Sequence, residues 1–279
     1  MKHLFDDTSL KCSIITTQQY STSFSIGIRF LSKSIQHAIY GIYGFVRLAD
    51  EIVDSFHGYN QPYLLEKFEQ DTKDALKHKI SLNPILNSFQ QAVHEYHIDV
   101  SLIDTFLHSM EMDLQDIHYN DAKYKEYILG SAEVVGLMCL HVFTEGNKAL
   151  YVALKPYAMH LGAAFQKVNF LRDIHYDNHT LGRTYFPHIN FANFSDDDKK
   201  QIEKDIDADF KSALNGILSL PTSSRLGVFL AYCYYVVLFK KIKSIPAKAI
   251  MQKRVRVSNL QKVWIAVKSY FQIQLDLVS

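Results

Sequence analysis

Glycine and proline are scarce, 11 and 6 of 279 residues, and their scarcity removes the punctuation that separates strands or domains. No Pro/Gly/Ser-rich linker divides the chain, so a single domain over residues 1–279 is the simplest reading. Cysteine is rare as well: Cys12, Cys139 and Cys233 are far apart and odd in number, which excludes a disulfide framework and reads as three reduced thiols. Net charge is only +1, so no overall field selects nucleic acid as a partner. The longest nearly unbroken apolar run, Leu226 to Phe239, has about 14 residues against the ~20 that span a bilayer, and reads as a buried helix. No apolar h-region follows Met1, so no signal peptide is expected and a cytoplasmic protein is. A glycine-rich phosphate loop after a strand is missing too, which makes NADPH an unlikely cofactor.

What is present is helical. Apolar residues recur at helical spacing from about residue 18 onward, and no alternating run argues for a sheet. The periodicity predicts helices over 18–31, 35–56, 61–78, 82–96, 100–118, 122–144, 148–177, 195–219, 223–245 and 258–275. Ser101 with Asp104, and Ser195 before three aspartates, read as N-terminal caps. Residues 178–194, with Gly182, Pro187 and three asparagines, break the pattern and read as a connector or a lid. Eighteen Phe and 17 Tyr supply enough material for a core and for an aromatic cavity wall.

Two short acidic stretches stand out, Asp50-Glu51-Ile52-Val53-Asp54 and Asp173-Ile174-His175-Tyr176-Asp177. Each sets two aspartates four residues apart, on one helical face. Each also belongs to a longer stripe: Tyr43, Arg47, Asp50 and Asp54 in the first, Gln166, Asn169, Asp173 and Asp177 in the second, both flanked by apolar residues. Such a stripe is costly to bury unless something satisfies it. It is either a solvent-facing strip, a salt-bridge ladder using Arg47 and Arg172, or half of a cavity. In the last case the carboxylates suit Mg²⁺ (or Mn²⁺) and the arginines suit phosphate oxygens, the two parts of a metal diphosphate complex.

These stretches lie in a longer ordered set of blocks. Ser23-Phe24-Ser25 and Ala38 through Asp54 come first, then Met112-Asp113-Leu114, Tyr119, Tyr127 and Val135-Gly136-Leu137-Met138. Gln166 through Asp173 with Asp177 follow, then Gly182-Arg183-Thr184-Tyr185-Phe186-Pro187 and a tail from Arg254 to Trp264. The set resembles the squalene and phytoene synthases, most of all a bacterial-type phytoene synthase. The resemblance implies an all-α isoprenoid synthase-type bundle around a deep apolar cavity with both aspartate motifs at its mouth. It also implies Mg²⁺-dependent head-to-head joining of two prenyl diphosphates (geranylgeranyl or farnesyl) through a cyclopropylcarbinyl diphosphate, to phytoene, dehydrosqualene or squalene.

Carried over residue by residue, Asp50, Asp54, Asp173 and Asp177 would hold metal, with Glu51 and Asn169 as secondary ligands. Arg47, Arg172 and Arg183 would neutralise diphosphate, assisted by Ser21 and Ser23. Tyr43 and Gln166 would sit near the reacting carbons, and Phe24, Phe30, Tyr40, Phe45, Tyr127 and Phe165 are candidate walls. Glu133 stands where the family commonly has a small glycine.

Thirteen histidines contain no complete zinc motif: His94-Glu95-Tyr96-His97 is one residue short. From Lys240 to Ser279 nine Lys/Arg face a single acid, Asp276, a basic region suited either to solvent or to peripheral contact with the inner face of a membrane. Arg254 or Arg256 is placed to reach a diphosphate instead. Monomer and homodimer both remain open. The competing functional readings are a scaffold protein that kept the fold without catalysis, and another isoprenoid cation enzyme such as a head-to-tail synthase or terpene cyclase.

Overall fold

The computed structural model describes residues 1–115, 117, 119–179, 185–189, 193–252 and 254–275, with side chains for all of these except 176–179. Helices α1 (Lys2–Tyr20), α2 (Thr22–Arg29), α3 (Lys33–Ser55), α4 (Gln61–His78), α5 (Pro84–Tyr96), α6 (Val100–Asp113) and α7 (Asp121–Ile128) make up the first half. Then come α8 (Val134–Phe143), α9 (Lys148–His179), α10 (Asp196–Leu218), α11 (Thr222–Lys243), the single turn α12 (Ala247–Ile250) and α13 (Asn259–Gln274). No strand occurs among the described residues. The all-α expectation holds.

The apolar residues collect into two clusters. The first centres on α3, where Phe45 is fully buried and stacks on Phe89 at 3.9 Å between ring centroids, with Phe68 and Phe106 around it. Burial of this size makes Phe45→Ala cost about 3–5 kcal/mol. The second cluster joins Val168 and Leu171 of α9 to Ile206 of α10 and Leu238 of α11. Helix α11 packs against α2, α9, α10 and α13. By length and composition alone it would also pass for a membrane span, as would Asp121–Phe143, but about half of each is buried in the bundle.

Helix α1 lies almost wholly outside the predicted set. Its buried stripe is Ser9, Ser13 and Thr17, all fully buried, so no apolar period betrays it. Thr17 Oγ1 donates to the Ser13 carbonyl at 2.8 Å and Asn87 Nδ2 reaches Ser9 Oγ at 3.1 Å, which satisfies hydroxyls that burial would otherwise penalise. Small side chains let α1 approach α3 closely. A Cβ built on Gly44 would lie 3.0 Å from Ser13 Oγ.

Two caps were tested. Ser195 forms a reciprocal capping box with Asp198 at the start of α10, as expected. At α6, however, the cap is Asp99, whose carboxylate accepts from Ser101 N at 2.9 Å. The helix therefore starts before Ser101. The helix expected over 122–144 is interrupted by a π-helical turn, Leu129–Glu133, where Val134 N–H reaches the Leu129 carbonyl. Such a turn rotates the side chains that follow it.

Glu133 ends that turn. Its carboxyl is pushed up by burial, opposed by nearby Lys167 and reinforced by Asp209. Lys167 bridges to Asp205 at 2.5 Å and Asp209 at 2.7 Å, and His160 Nδ1 meets Asp209 at 2.8 Å. This charged knot braces α9 against α10 on the side away from the stripe. Close approach on the other side depends on Gly162, whose added Cβ would meet the Ala132 carbonyl oxygen at 2.6 Å.

Candidate active site

A cavity of about 880 Å³ runs through the bundle, walled from α2, α3, α6, α8, α9, α10 and α11. That lies within the range of small-molecule sites. Both stripes reach it. Tyr43, Arg47, Asp50 and Asp54 line it from α3, and Gln166, Asn169, Arg172 and Asp173 from α9. The solvent-strip reading of the two helices therefore fails. Phe24 of α2 links the two sides, its ring 5.8 Å from Tyr43 and 6.2 Å from Phe165.

On α3 the carboxylates crowd one another. Burial raises Asp50 to about 7, helped by the charges of Asp54 and Asp113, while Arg47 offsets only part of this. Tyr43 is pushed up to about 12, mainly by burial, and stays a neutral phenol. Arg47 pairs with Glu51 one turn on and lies 4.3 Å above the Tyr20 ring. Its Nε is buried without a hydrogen-bond partner. Glu51 does not line the cavity, so it orients Arg47 and is not placed as a metal ligand.

On α9 the charges are neutralised in place. Asp173 accepts from Arg172 Nη2 at 2.5 Å and pairs with Arg254 Nε at 2.6 Å. Burial works against the charge on Arg172, yet the adjacent Asp173 more than compensates and holds its pKa up. Asn169 accepts from Tyr235 OH at 3.2 Å. Asp177 falls in α9 one turn beyond Asp173, but its side chain lies outside the described residues, as do Arg183 and most of the 178–194 segment.

Several expectations need correction. Tyr40 and Phe45 are buried in the first core cluster and Phe30 is partly exposed, and none of the three lines the cavity. Ser23 does not line it either, whereas Ser21 does, accepting from Phe24 N at 3.1 Å as the cap of α2. Phe24, Tyr127 and Phe165 are wall residues as expected.

Sequence reasoning did not assign Asp113 a role. It lines the cavity at the end of α6, accepting from Tyr127 OH at 2.7 Å and Tyr185 OH at 3.4 Å. Tyr185 in turn stacks on Phe170 at 4.1 Å and Tyr127 at 5.0 Å. Asp113 was quoted only as part of a block because it has no i, i+4 acidic partner. His175 was likewise passed over. It lines the cavity, and its Nδ1 meets the Met251 carbonyl at 2.8 Å, tying down the segment that delivers Arg254 and Arg256 to the same cavity.

The donor set fits a divalent cation shared with a ligand. Among the described residues no three His, Cys, Asp or Glu side chains converge on one point, so a closed protein cage is not built. Mg²⁺ commonly takes one or two carboxylates plus substrate phosphate oxygens and water. Crowded Asp50, Asp54 and Asp113 supply the carboxylates, and the unpartnered Arg47 Nε supplies a donor for a phosphate oxygen.

The sequence model described as squalene/phytoene synthase matches residues 17–261, and the chain belongs to that family. Among curated proteins it is 26% identical to phytoene synthase 1, chloroplastic, of Solanum lycopersicum, over 80% of this chain and 58% of the tomato protein. It is also 26% identical to 4,4'-diapophytoene synthase of Staphylococcus haemolyticus (strain JCSC1435), over 67% of this chain and 65% of that protein. The chain thus spans less than two thirds of either relative's length. A solved dehydrosqualene synthase in complex with ligand has the same fold, with a TM-score of 0.81 at 17% identity, covering 96% of this chain and 98% of that one.

Proposed function

We propose that this protein joins two prenyl diphosphates head to head, through a cyclopropylcarbinyl diphosphate, to a long-chain hydrocarbon of the phytoene, dehydrosqualene or squalene type. The observation that carries the reading is the convergence of both polar stripes on one otherwise apolar, aromatic cavity. Family membership and the relatives named above support it.

The chemistry follows from the residues. An allylic diphosphate ionises when its leaving charge is stabilised, and the carbocation survives only where water is excluded. Asp50, Asp54, Asp113 and Asp173, with Asp177, would hold Mg²⁺ or Mn²⁺, which when bound supplies Lewis-acid neutralisation of the leaving diphosphate. Arg47, Arg172 and Arg254 present guanidinium donors to diphosphate oxygens. Phe24, Phe165, Tyr127 and Tyr235 give π faces that favour a passing cation. Neutral Tyr43 is positioned to hold a proton close to the reacting end without adding a charge.

The test is product mass. Purified protein given farnesyl or geranylgeranyl diphosphate with Mg²⁺, with and without NADPH, is expected to yield an apolar dimeric product whose mass does not depend on NADPH. No product from either substrate would overturn the reading, and Mg²⁺-coupled diphosphate binding without turnover would favour the scaffold alternative.

A further inference from the structure

Helix α13 has two apolar faces, and the bundle uses only one. Ile265 and Ser269 are buried on its inner side, where it packs on α11. Opposite them Leu260, Trp264, Val267, Phe271 and Leu275, spaced by four, three, four and four, form a continuous exposed stripe, with Leu260 84% and Trp264 61% exposed. Val263 and Tyr270 widen it. Exposed apolar surface on that scale marks a binding surface.

The charge around the stripe identifies what covers it. From Phe210 to Leu275 the sequence has no Asp or Glu and 11 Lys or Arg. Lys240, Lys241, Arg254, Arg256 and Lys268 are exposed, and Lys268 Nζ lies 5.1 Å over the Trp264 ring. An aromatic and aliphatic face edged by cations fits an interface of acyl chains and anionic headgroups. The face also adjoins the cavity. Arg254 and Arg256, just before α13, line it, and Lys262 donates to Thr22 Oγ1 at the start of α2, beside the wall residues Ser21 and Phe24.

We infer that the outer face of α13 docks this protein on an anionic lipid bilayer, with Trp264 and Phe271 in the headgroup boundary and the cavity opening toward the surface. The cavity's use of that position rests on the reading of its substrates as prenyl diphosphates: lipid tails would enter from the bilayer and an apolar product would return to it. Basic charge alone, the feature visible in the sequence, would give only weak and salt-sensitive attraction. The exposed apolar stripe supplies the part that does not depend on charge.

Trp264 is the sole tryptophan, so its fluorescence reports this face without a label. The full chain, with neither substrate nor metal, is mixed with vesicles of phosphatidylcholine or of equal parts phosphatidylcholine and phosphatidylglycerol. Expected are a blue shift and quenching by brominated acyl chains with the anionic vesicles, and partitioning weakened about tenfold or more in Val267→Glu/Phe271→Glu, at unchanged melting temperature. Unchanged Trp264 emission with anionic vesicles would overturn the inference. So would lipid-free, concentration-dependent self-association that shields Trp264, since a second copy would then own the face. Turnover in detergent is measured separately: binding without any product leaves the surface standing and sinks the proposed reaction, and product without binding does the reverse.

Discussion

The two stripes share one spacing in sequence but differ in electrostatic state. On α3, Asp50 is forced up to about 7 by burial and by Asp54, while Arg47 is engaged with Glu51. On α9, Asp173 is held by two arginines, Arg172 and Arg254. One arm is an excess of negative charge that favours an incoming cation. The other is already balanced, and a ligand must exchange with a partner that is present. Spacing alone does not separate these cases, because it is the neighbours from α6 and from the 251–257 segment that create them.

The largest effect should come from removing a carboxylate on either arm. Asp54→Asn and Asp173→Asn are each expected to lower kcat on prenyl diphosphates by ~10³ or more, the loss of several kcal/mol of charge stabilisation. If the arms act as one site, the double variant is little worse than either single one. Steady-state kinetics decide, and wild-type rates in both singles would separate the arms altogether.

Stability should then split by arm. Asp50 titrates near 7 when folded and near 3.8 when unfolded, so the folded metal-free protein keeps a proton that the unfolded chain releases as pH rises from about 4 to about 7. Stability falls across that window and the penalty is complete above it, on the order of 4 kcal/mol at most. Asp50→Asn removes the penalty and should raise the melting temperature at pH 8 in chelator while leaving it unchanged at pH 4. Asp173→Asn should do the opposite and destabilise by about 2 kcal/mol, since it leaves the guanidinium of Arg172 without its charged partner. Thermal melts at the two pH values would show both signs, and a shared sign would end the comparison.

Much of this was readable beforehand, for identifiable reasons. The α3 and α9 stripes are long, apolar-flanked and regular, so both helices and their inward faces follow from period alone. Helix α1 escaped because its buried face is Ser9, Ser13 and Thr17, for which no hydrophobic pattern exists. Asp113 escaped because a single carboxylate at a helix end gains meaning only when Tyr127 and Tyr185 converge on it. Phe45 and Tyr40 were misread because a helix shows which residues are apolar but not which of its apolar sides meets the core and which the cavity. The knot of Glu133, Lys167 and Asp209 joins residues tens of positions apart, beyond the reach of local spacing.

Packing distinguishes the arms next. A methyl at Gly162 on α9 would strike backbone of the π-helical turn, at 2.6 Å from the Ala132 oxygen, whereas a methyl at Gly44 on α3 meets the Ser13 hydroxymethyl at 3.0 Å. Backbone cannot rotate away and a serine side chain can. Gly162→Ala is therefore expected to destabilise by about 1–3 kcal/mol and to lower kcat as α9 shifts, while Gly44→Ala stays nearer wild type. Chemical denaturation ranks the two.

Arg254 gives the smallest change in stability and the sharpest view of the balanced arm. Its side chain is half exposed and reaches Asp173 from a separate segment, so the pair should contribute no more than about 1 kcal/mol to folding. Its partner Arg172 is more enclosed and would keep Asp173 neutralised after Arg254→Ala. If Arg254 exchanges Asp173 for a diphosphate oxygen when ligand binds, its loss removes one charge-assisted contact, and KM should rise about tenfold, close to 1.4 kcal/mol. Arg254→Lys should recover part of that, because it restores charge but not the fork. A fall of several degrees in melting temperature with unchanged KM would instead make Arg254 a strut for the 251–257 segment, and the α9 arm would have no replaceable partner.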